Sequence, residues 1–394
     1  MRIVFAIHVD LRNGRGSEKV LLNLLKYKPD NLQVMILETD YLERQRIPDN
    51  ILDEALKGGE LIQIHRTLTG KYPNSFMGIV LNNIILRNFI KDRNRIKDSD
   101  IIKKLGEYDA AYLFSNFFAI YFDKNKIPVI GSNHSIDPSL FFSDNLVKRC
   151  FYRLYWKIYF KNLNGYHVFP RNEAILKKLE TKFGTRYNMV LSNGVDTKLF
   201  FPNYNVENKI LKILFVASLQ KSKGLDILLP LADMFTEDDR LEFHVVGGGP
   251  LEKDVNRRKN IKYHKILDDK SLSSLYRESD LFVYPSHDDY YGLVVLEAIS
   301  SGLYVLVGEY LKGNFDQFEG HYLEYLPMNV ESFYHRISDI LSDRKIISHN
   351  KHYEYEFVRN NYDWSIISKH FYESIEQLYL KFQNYGAFSV ENTI

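Results

Sequence analysis

Two carboxylates and the start of a helix stand close together in YPSHDDYYGLVVLEAISSGLYVLVG, residues 284–308. The residue types read as strand, loop, helix and strand, with the helix beginning near Gly292. The first N–H groups of a helix have no partner inside it, so those at Gly292 and Leu293 are suited to hold phosphate oxygens. Asp289 lies in the loop before the helix and Glu297 in its early turns, so two carboxylates flank one position. Carboxylates accept hydrogen bonds from paired hydroxyls, which suits sugars and ribose. The plainer alternatives are a turn or cap residue at Asp289 and a solvated helix face at Glu297.

These groups need a scaffold that brings strand ends and helix starts together. Short β-branched or aromatic runs alternate with helical patterns at residues 3–8, 33–37, 61–64, 110–114, 129–131, 166–169 and 188–191. Such alternation predicts a parallel sheet covered on both faces. A second series at 212–217, 242–246, 261–264, 281–284 and 304–307 predicts another sheet of the same kind. The expected fold class is α/β, with two Rossmann-like, doubly wound parallel-sheet domains. Residues 192–209 are rich in Asn, Gly and Pro and lack apolar periodicity, as a connection would. The expected division is a first domain over 1–191, a linker over 192–209 and a second domain over 210–363, followed by a C-terminal helix and polar tail over 364–394.

The chain's 394 residues exceed one ordinary core, and a net charge of +2 from 52 basic and 50 acidic residues does not advertise nucleic acid as a partner. The single cysteine cannot form an internal disulfide and no Cys/His pair has zinc spacing, which favours a reducing, cytoplasmic setting without a structural metal. The opening MRIVFAIHV is closed by Asp10 too soon for a secretory segment and reads as a buried strand. Residues 78–86 form the longest later apolar stretch, far short of the ~20 that span a bilayer. Residues 145–162, NLVKRCFYRLYWKIYFKN, read as a helix with Arg149, Arg153, Lys157 and Lys161 in a basic stripe. Two readings stand for it: a domain helix whose aromatics are core, and an interfacial helix making peripheral contact with an anionic membrane that carries a lipid-linked acceptor.

The 284–308 stretch resembles the acidic-x7-Glu signature of the retaining GT-B glycosyltransferases of family 4, the glycosyl transferases group 1, with Asp289 and Glu297 at the acidic positions. The similarity continues in the family's order through SNGVDTKLFFP (192–202), VASLQKSKGLDILL (216–229), VVGGGPLE (245–252) and NIKYHKILDDKSLSSLYRESDLFVYPS (260–286). In the first half it is thinner, resting on GRGSEKVLLNLL (14–25) and GSNHS (131–135).

The resemblance implies a GT-B fold whose two domains face each other across a cleft, and a UDP- or GDP-sugar as donor, with no cofactor or metal required. Glu297 would bind the ribose hydroxyls, Asp289 the donor sugar, and Lys223 the diphosphate, where a cation offsets charge building on the departing nucleotide. A lysine at a helix start is locally unfavourable without an anion, which supports that role over a plain solvent lysine. Gly16, between the first strand and the next helix, would let the backbone approach the donor phosphates. Ile266 and Leu267 match positions whose backbone meets the base, with ordinary packing as the alternative, while residues 247–249 make a tight turn or meet the ligand. His134 matches a histidine near the sugar's reactive face, against the alternative of a structural histidine. The implied reaction moves a hexose-type sugar to a glycan or lipid-linked acceptor by front-face substitution. It would serve cell-surface glycan synthesis in the cytoplasm or on the inner face of the cell membrane.

Two positions depart from the family's usual pattern: Ser218 stands where Arg is usual and Asp289 where Glu is usual. Loss of the guanidinium removes a bidentate phosphate clamp, with Lys221 and Arg15 as candidates to compensate. The alternatives in function are a sugar-nucleotide epimerase of the same fold and a non-catalytic sugar-nucleotide-binding subunit.

Overall fold

The computed structural model describes residues 1–7, 10–14, 16–39, 47–56, 59–64, 100–134, 160–205, 208–348 and 350–385. The chain divides into two compact units, Met1–Leu191 with Ser368–Ile394, and Ser192–Ile367.

In the first unit, β1 (Arg2–Ile7), β2 (Gln33–Thr39), β3 (Glu60–Ile64), β4 (Ala110–Leu113), β5 (Val129–Ser132), β6 (Gly165–Val168) and β7 (Met189–Val190) form a sheet in the order β3-β2-β1-β4-β5-β6-β7. Every pairing is parallel. Residues 3–7 are all fully buried, as a strand covered on both faces requires. Successive side chains alternate between the faces. Val4, Ala6, Ala111 and Leu113 join one core with Leu105, Phe118 and Leu163. Phe5 and Tyr112 instead meet Phe371, at ring-centroid separations of 6.0 and 4.9 Å. Helix α1 (Gly16–Lys26) buries Val20, Leu21, Leu24 and Leu25.

In the second unit, β8 (Leu211–Val216), β9 (Leu241–Val246), β10 (Ile261–His264), β11 (Leu281–Tyr284), β12 (Tyr304–Gly308) and β13 (Leu323–Leu326) form a sheet in the order β10-β9-β8-β11-β12-β13. The site uses three of its helices: α2 (Leu225–Met234), α3 (Asp269–Glu278) and α4 (Leu293–Ser300). Strand order reverses between β8 and β11, and in the first unit between β1 and β4. In open α/β sheets, ligands bind outside the carboxyl ends of the strands at such a switch point.

The sequence series contains no strand after 304–307, yet β13 extends this sheet. It is an edge strand paired with β12 alone, and only Leu323 of its four residues is fully buried. The continuous apolar run that marks interior strands is therefore missing.

Residues 192–205, expected as part of a connection, pack into the second unit. The Val195 N–H donates to Tyr362 O at 2.8 Å, and the Trp364 N–H donates to Val195 O at 3.1 Å. Phe200 is buried, with its carbonyl accepting from the Ser300 hydroxyl at 2.6 Å. The polar residues here close backbone and side-chain hydrogen bonds, as Thr197 Oγ1 does on Asp363 at 2.6 Å. The last helix, α5 (Trp364–Tyr385), counts with the first unit from Ser368 onward. There the Tyr372 hydroxyl donates to Leu24 O at 2.8 Å.

Of the expected basic helix over 145–162, residues 145–159 lie outside the described residues, and Arg149, Arg153 and Lys157 with them. Phe160–Asn162 form a short 3-10 turn with Phe160 buried. No described helix is long and apolar enough to cross a membrane.

Candidate active site

Two loops meet at the switch point of the second sheet. After β8 the chain makes a 3-10 turn at Lys221–Lys223, and Gly224, at φ 89°, leads into α2. After β11 the chain runs through residues 285–291 to Gly292, at φ 87°, and α4. A Cβ on Gly224 would lie 2.1 Å from Pro285 O, so only glycine permits both the left-handed turn and this close approach. Further bonds join the loops: the His287 N–H donates to Ser222 O at 3.0 Å, and its Nε2 lies 3.0 Å from the Asp226 carboxylate.

Lys223 and Asp289 are brought together by this arrangement. The Lys223 ammonium lies 3.3 Å from Asp289 Oδ2, with both side chains about one-fifth to one-quarter exposed, and it also donates to Asp288 O. Asp289 Oδ2 accepts from the Tyr284 hydroxyl at 2.6 Å. Asp289 is therefore more than a turn residue. Glu297 is equally far from a solvated helix face, since its Oε2 accepts from Tyr276 at 3.0 Å. Tyr276 and Tyr284 are fully buried. Burial first, and the adjoining carboxylate second, raise both phenols well above their ordinary pKa, so they remain donors at physiological pH.

Gly292 occupies the N-cap of α4 without a side-chain cap bond, and the helix proper begins at Leu293. The Val295 N–H closes onto Gly292 O at 2.9 Å, and the loop that carries Asp289 leads directly into this first turn. On the other side of β8, a Cβ on Gly247 would meet Ala217 O at 1.8 Å and one on Gly249 would meet Leu219 O at 2.7 Å. These glycines let the turn after β9 lie directly on the loop after β8. Ile266 is 45% exposed, which excludes ordinary core packing for it, and Leu267 is half-buried. Both precede Asp268, which caps α3 by accepting from the N–H groups of Lys270 and Ser271.

Gly16 and His134 belong to the first unit. Gly16 opens α1 in an exposed position where a Cβ would meet nothing within 4 Å, so local packing does not demand glycine. His134 follows β5; its Nδ1 lies 3.1 Å from Ser132 Oγ, and its ring stacks edge-on against Phe169 at 5.1 Å. Of the residues proposed to replace the missing arginine, Lys221 is exposed on the 3-10 turn, and Arg15 lies outside the described residues. Ser218 is exposed.

Sequence reasoning overlooked Tyr276, Tyr284 and His287. Tyr284 ends β11 five residues before Asp289, and a strand-end phenol ahead of an acidic loop is a local signal that could have found it. Tyr276 lies 21 residues before Glu297 and is brought to it only by the packing of α3.

Residues 196–357 match the family described as Glycosyl transferases group 1. A sulfoquinovosyl transferase of Arabidopsis thaliana is 30% identical over 29% of this chain, and the chain spans 24% of that protein's length. Among solved structures, the sucrose-phosphate synthase of Thermosynechococcus elongatus aligns with a TM-score of 0.70 at 15% identity, covering 96% of this chain and 99% of that one. Anabaena HepE in complex with UDP and glucose aligns with a TM-score of 0.67 at 15% identity, covering 96% and 100%. The fold is therefore the two-sheet GT-B architecture.

Proposed function

We propose that this chain, whose second unit belongs to the glycosyl transferases group 1 through residues 196–357, transfers a hexose-type sugar from a nucleotide-diphosphate sugar to a glycan or lipid-linked acceptor. The observation that carries the reading is the Lys223–Asp289 pair on joined loops at the switch point of the second sheet, with Glu297 on the helix that follows. An ammonium and an uncapped helix start suit a diphosphate. The carboxylates suit hydroxyls, with Glu297 assigned to the ribose and Asp289 to the sugar. Ile266 and Leu267 are assigned to the base, beside the glycine turn after β9. The UDP held by HepE supports a UDP-sugar as the donor, with a GDP-sugar as the other base to test.

Transfer is assigned a retaining course. The bond from the anomeric carbon to the phosphate oxygen breaks while a bond to the acceptor oxygen forms on the same face. The acceptor's proton passes to the departing phosphate. Lys223 stabilises the negative charge that develops on that phosphate, a contribution that grows from ground state to transition state. The single cysteine fits action in the cytosol, where the donor sugars would be met.

Calorimetric titration of UDP and GDP into wild type, Glu297→Ala and Lys223→Ala tests the assignment. At least one nucleotide is expected to bind wild type and to lose about ten-fold or more in each variant, as removal of a charge-assisted hydrogen bond implies. Wild-type affinity in both variants would overturn it.

A further inference from the structure

We propose that Tyr284 is a positioning residue of the second unit, whose hydroxyl holds the Asp289 carboxylate in place for the donor sugar while Lys223 leaves that carboxylate for a phosphate. This role rests on the transferase reading, which assigns the sugar to Asp289 and the diphosphate to Lys223.

One oxygen serves two donors. Asp289 Oδ2 accepts from the Tyr284 hydroxyl at 2.6 Å and lies 3.3 Å from the Lys223 ammonium. The two donors are held differently. Tyr284 closes β11, whose residues are all buried, and its backbone pairs with Val307 of β12. Its ring packs against Phe282 and Phe215, at centroid separations of 5.9 and 6.1 Å. A buried ring so enclosed keeps one orientation. Lys223, by contrast, ends a 3-10 turn, is about one-fifth exposed, and reaches Asp289 over a flexible four-carbon stem.

An ion pair in that position can be exchanged. A partly exposed pair adds little net stability, and a diphosphate offers the ammonium more negative charge than one carboxylate does. Once the ammonium turns to the phosphate, the direction of the Asp289 side chain depends on what else holds it. The loop that carries Asp289 is tied to the neighbouring loop upstream, by the His287 N–H on Ser222 O at 3.0 Å and the Ser286 hydroxyl on the same oxygen at 3.4 Å. Those bonds set the backbone and not the carboxylate. The Tyr284 hydroxyl reaches the carboxylate itself. Burial first, and the adjoining Asp289 second, keep this phenol protonated, so it remains a donor whether or not Lys223 is in place. A carboxylate fixed through one oxygen meets the sugar hydroxyls in a set orientation, which lowers the cost of ordering it on binding.

A buried phenol also needs a partner for its own sake, so the test must separate support of the strand from action through Asp289. Tyr284→Phe removes one hydroxyl and keeps the ring that packs on Phe215 and Phe282. Calorimetric titration of full-length wild type, Tyr284→Phe, Asp289→Ala and the double variant compares each nucleotide sugar with its own nucleotide. The probes are UDP-glucose, UDP-galactose and UDP-N-acetylglucosamine against UDP, and GDP-mannose against GDP. Dividing by the nucleotide's constant removes any change in the competition for Lys223. For the nucleotide sugar that wild type binds most tightly, Tyr284→Phe is expected to raise the ratio of the two dissociation constants about five-fold or more, the scale of a lost hydrogen bond to a charged group. In the Asp289→Ala background the same change is expected to move the ratio by less than about two-fold, because the hydroxyl no longer has a carboxylate to hold. An unchanged ratio in Tyr284→Phe, with nucleotide still bound, overturns the proposal and leaves the transferase reading standing. Equal losses in both backgrounds overturn it as well, being the result expected of a phenol that only supports the strand. If neither UDP nor GDP binds wild type, the transferase reading fails and this role falls with it.

Discussion

At the carboxyl edge of the second sheet the side chains are polar and partly exposed, as in the Lys223–Asp289 ion pair and the His287–Asp226 contact. Among the described residues at the same edge of the first sheet, the Asp10–Arg12 pair stands with Glu38 and His167, both buried. Burial drives Glu38 up to about 7, against the hydrogen bonds it accepts from Gln63 and the Leu11 N–H. Burial drives His167 down to about 4, with its Nε2 turned to Leu191 O. Two sheets of nearly the same topology therefore differ in how deeply they bury the titratable groups at equivalent strand ends. The difference shows that the architecture selects where a ligand goes, while the residues at the strand ends select its charge.

The comparison breaks most sharply at Lys223. If the second edge is the anion site, Lys223→Ala should lower turnover by about 10²–10³, the usual scale for removing one group that stabilises developing charge. Release of nucleoside diphosphate from the sugar nucleotide measures this, and a loss of less than ten-fold would deny that edge its assigned role.

The burial of titratable groups at the first edge is tested at Glu38. Its folded pKa is raised from about 4.5 to about 7, so the folded state holds the proton more tightly than the unfolded chain. The resulting stability is fully present below pH about 4.5 and is lost as pH rises through about 7. Glutamine cannot titrate. Wild type should therefore be more stable relative to Glu38→Gln at pH 5 than at pH 8, by about 2–3 kcal/mol. Hydrogen exchange of the β1 and β2 amides reads the first unit by itself. A difference that does not change with pH would mean that Glu38 ionises like a surface glutamate.

A smaller effect sharpens the contrast. His134→Ala is expected to lower kcat about ten-fold while leaving nucleotide affinity unchanged, because the nucleotide is assigned to the second unit alone. Parallel loss of both would place a nucleotide contact in the first unit.

Much of this arrangement was legible before any coordinates. Nine of the strands are interior and announce themselves as apolar runs because both of their faces are buried, as in β1 and β11. The edge strand β13, with only Leu323 fully buried, lacks that signal. Asp289 and Glu297 were legible because a strand-end loop and a helix start are local features of sequence, whereas Lys223 joined them through the family resemblance. The burial of Glu38 was not, since nothing in VMILETD distinguishes a carboxylate under Leu11 and Gln63 from one in solvent.

By itself the sequence determined the two parallel sheets, the order of their elements, and the loops on which the ionic residues sit. These follow from apolar periodicity and from glycines that the backbone needs within a few residues. Only the tertiary structure decided which phenol holds which carboxylate, and that residues 192–205 pack into the second unit. Those outcomes depend on which distant segments arrive at the same place. A hydrogen bond forms or fails within a few tenths of an ångström, a precision that residue types along a chain do not encode locally.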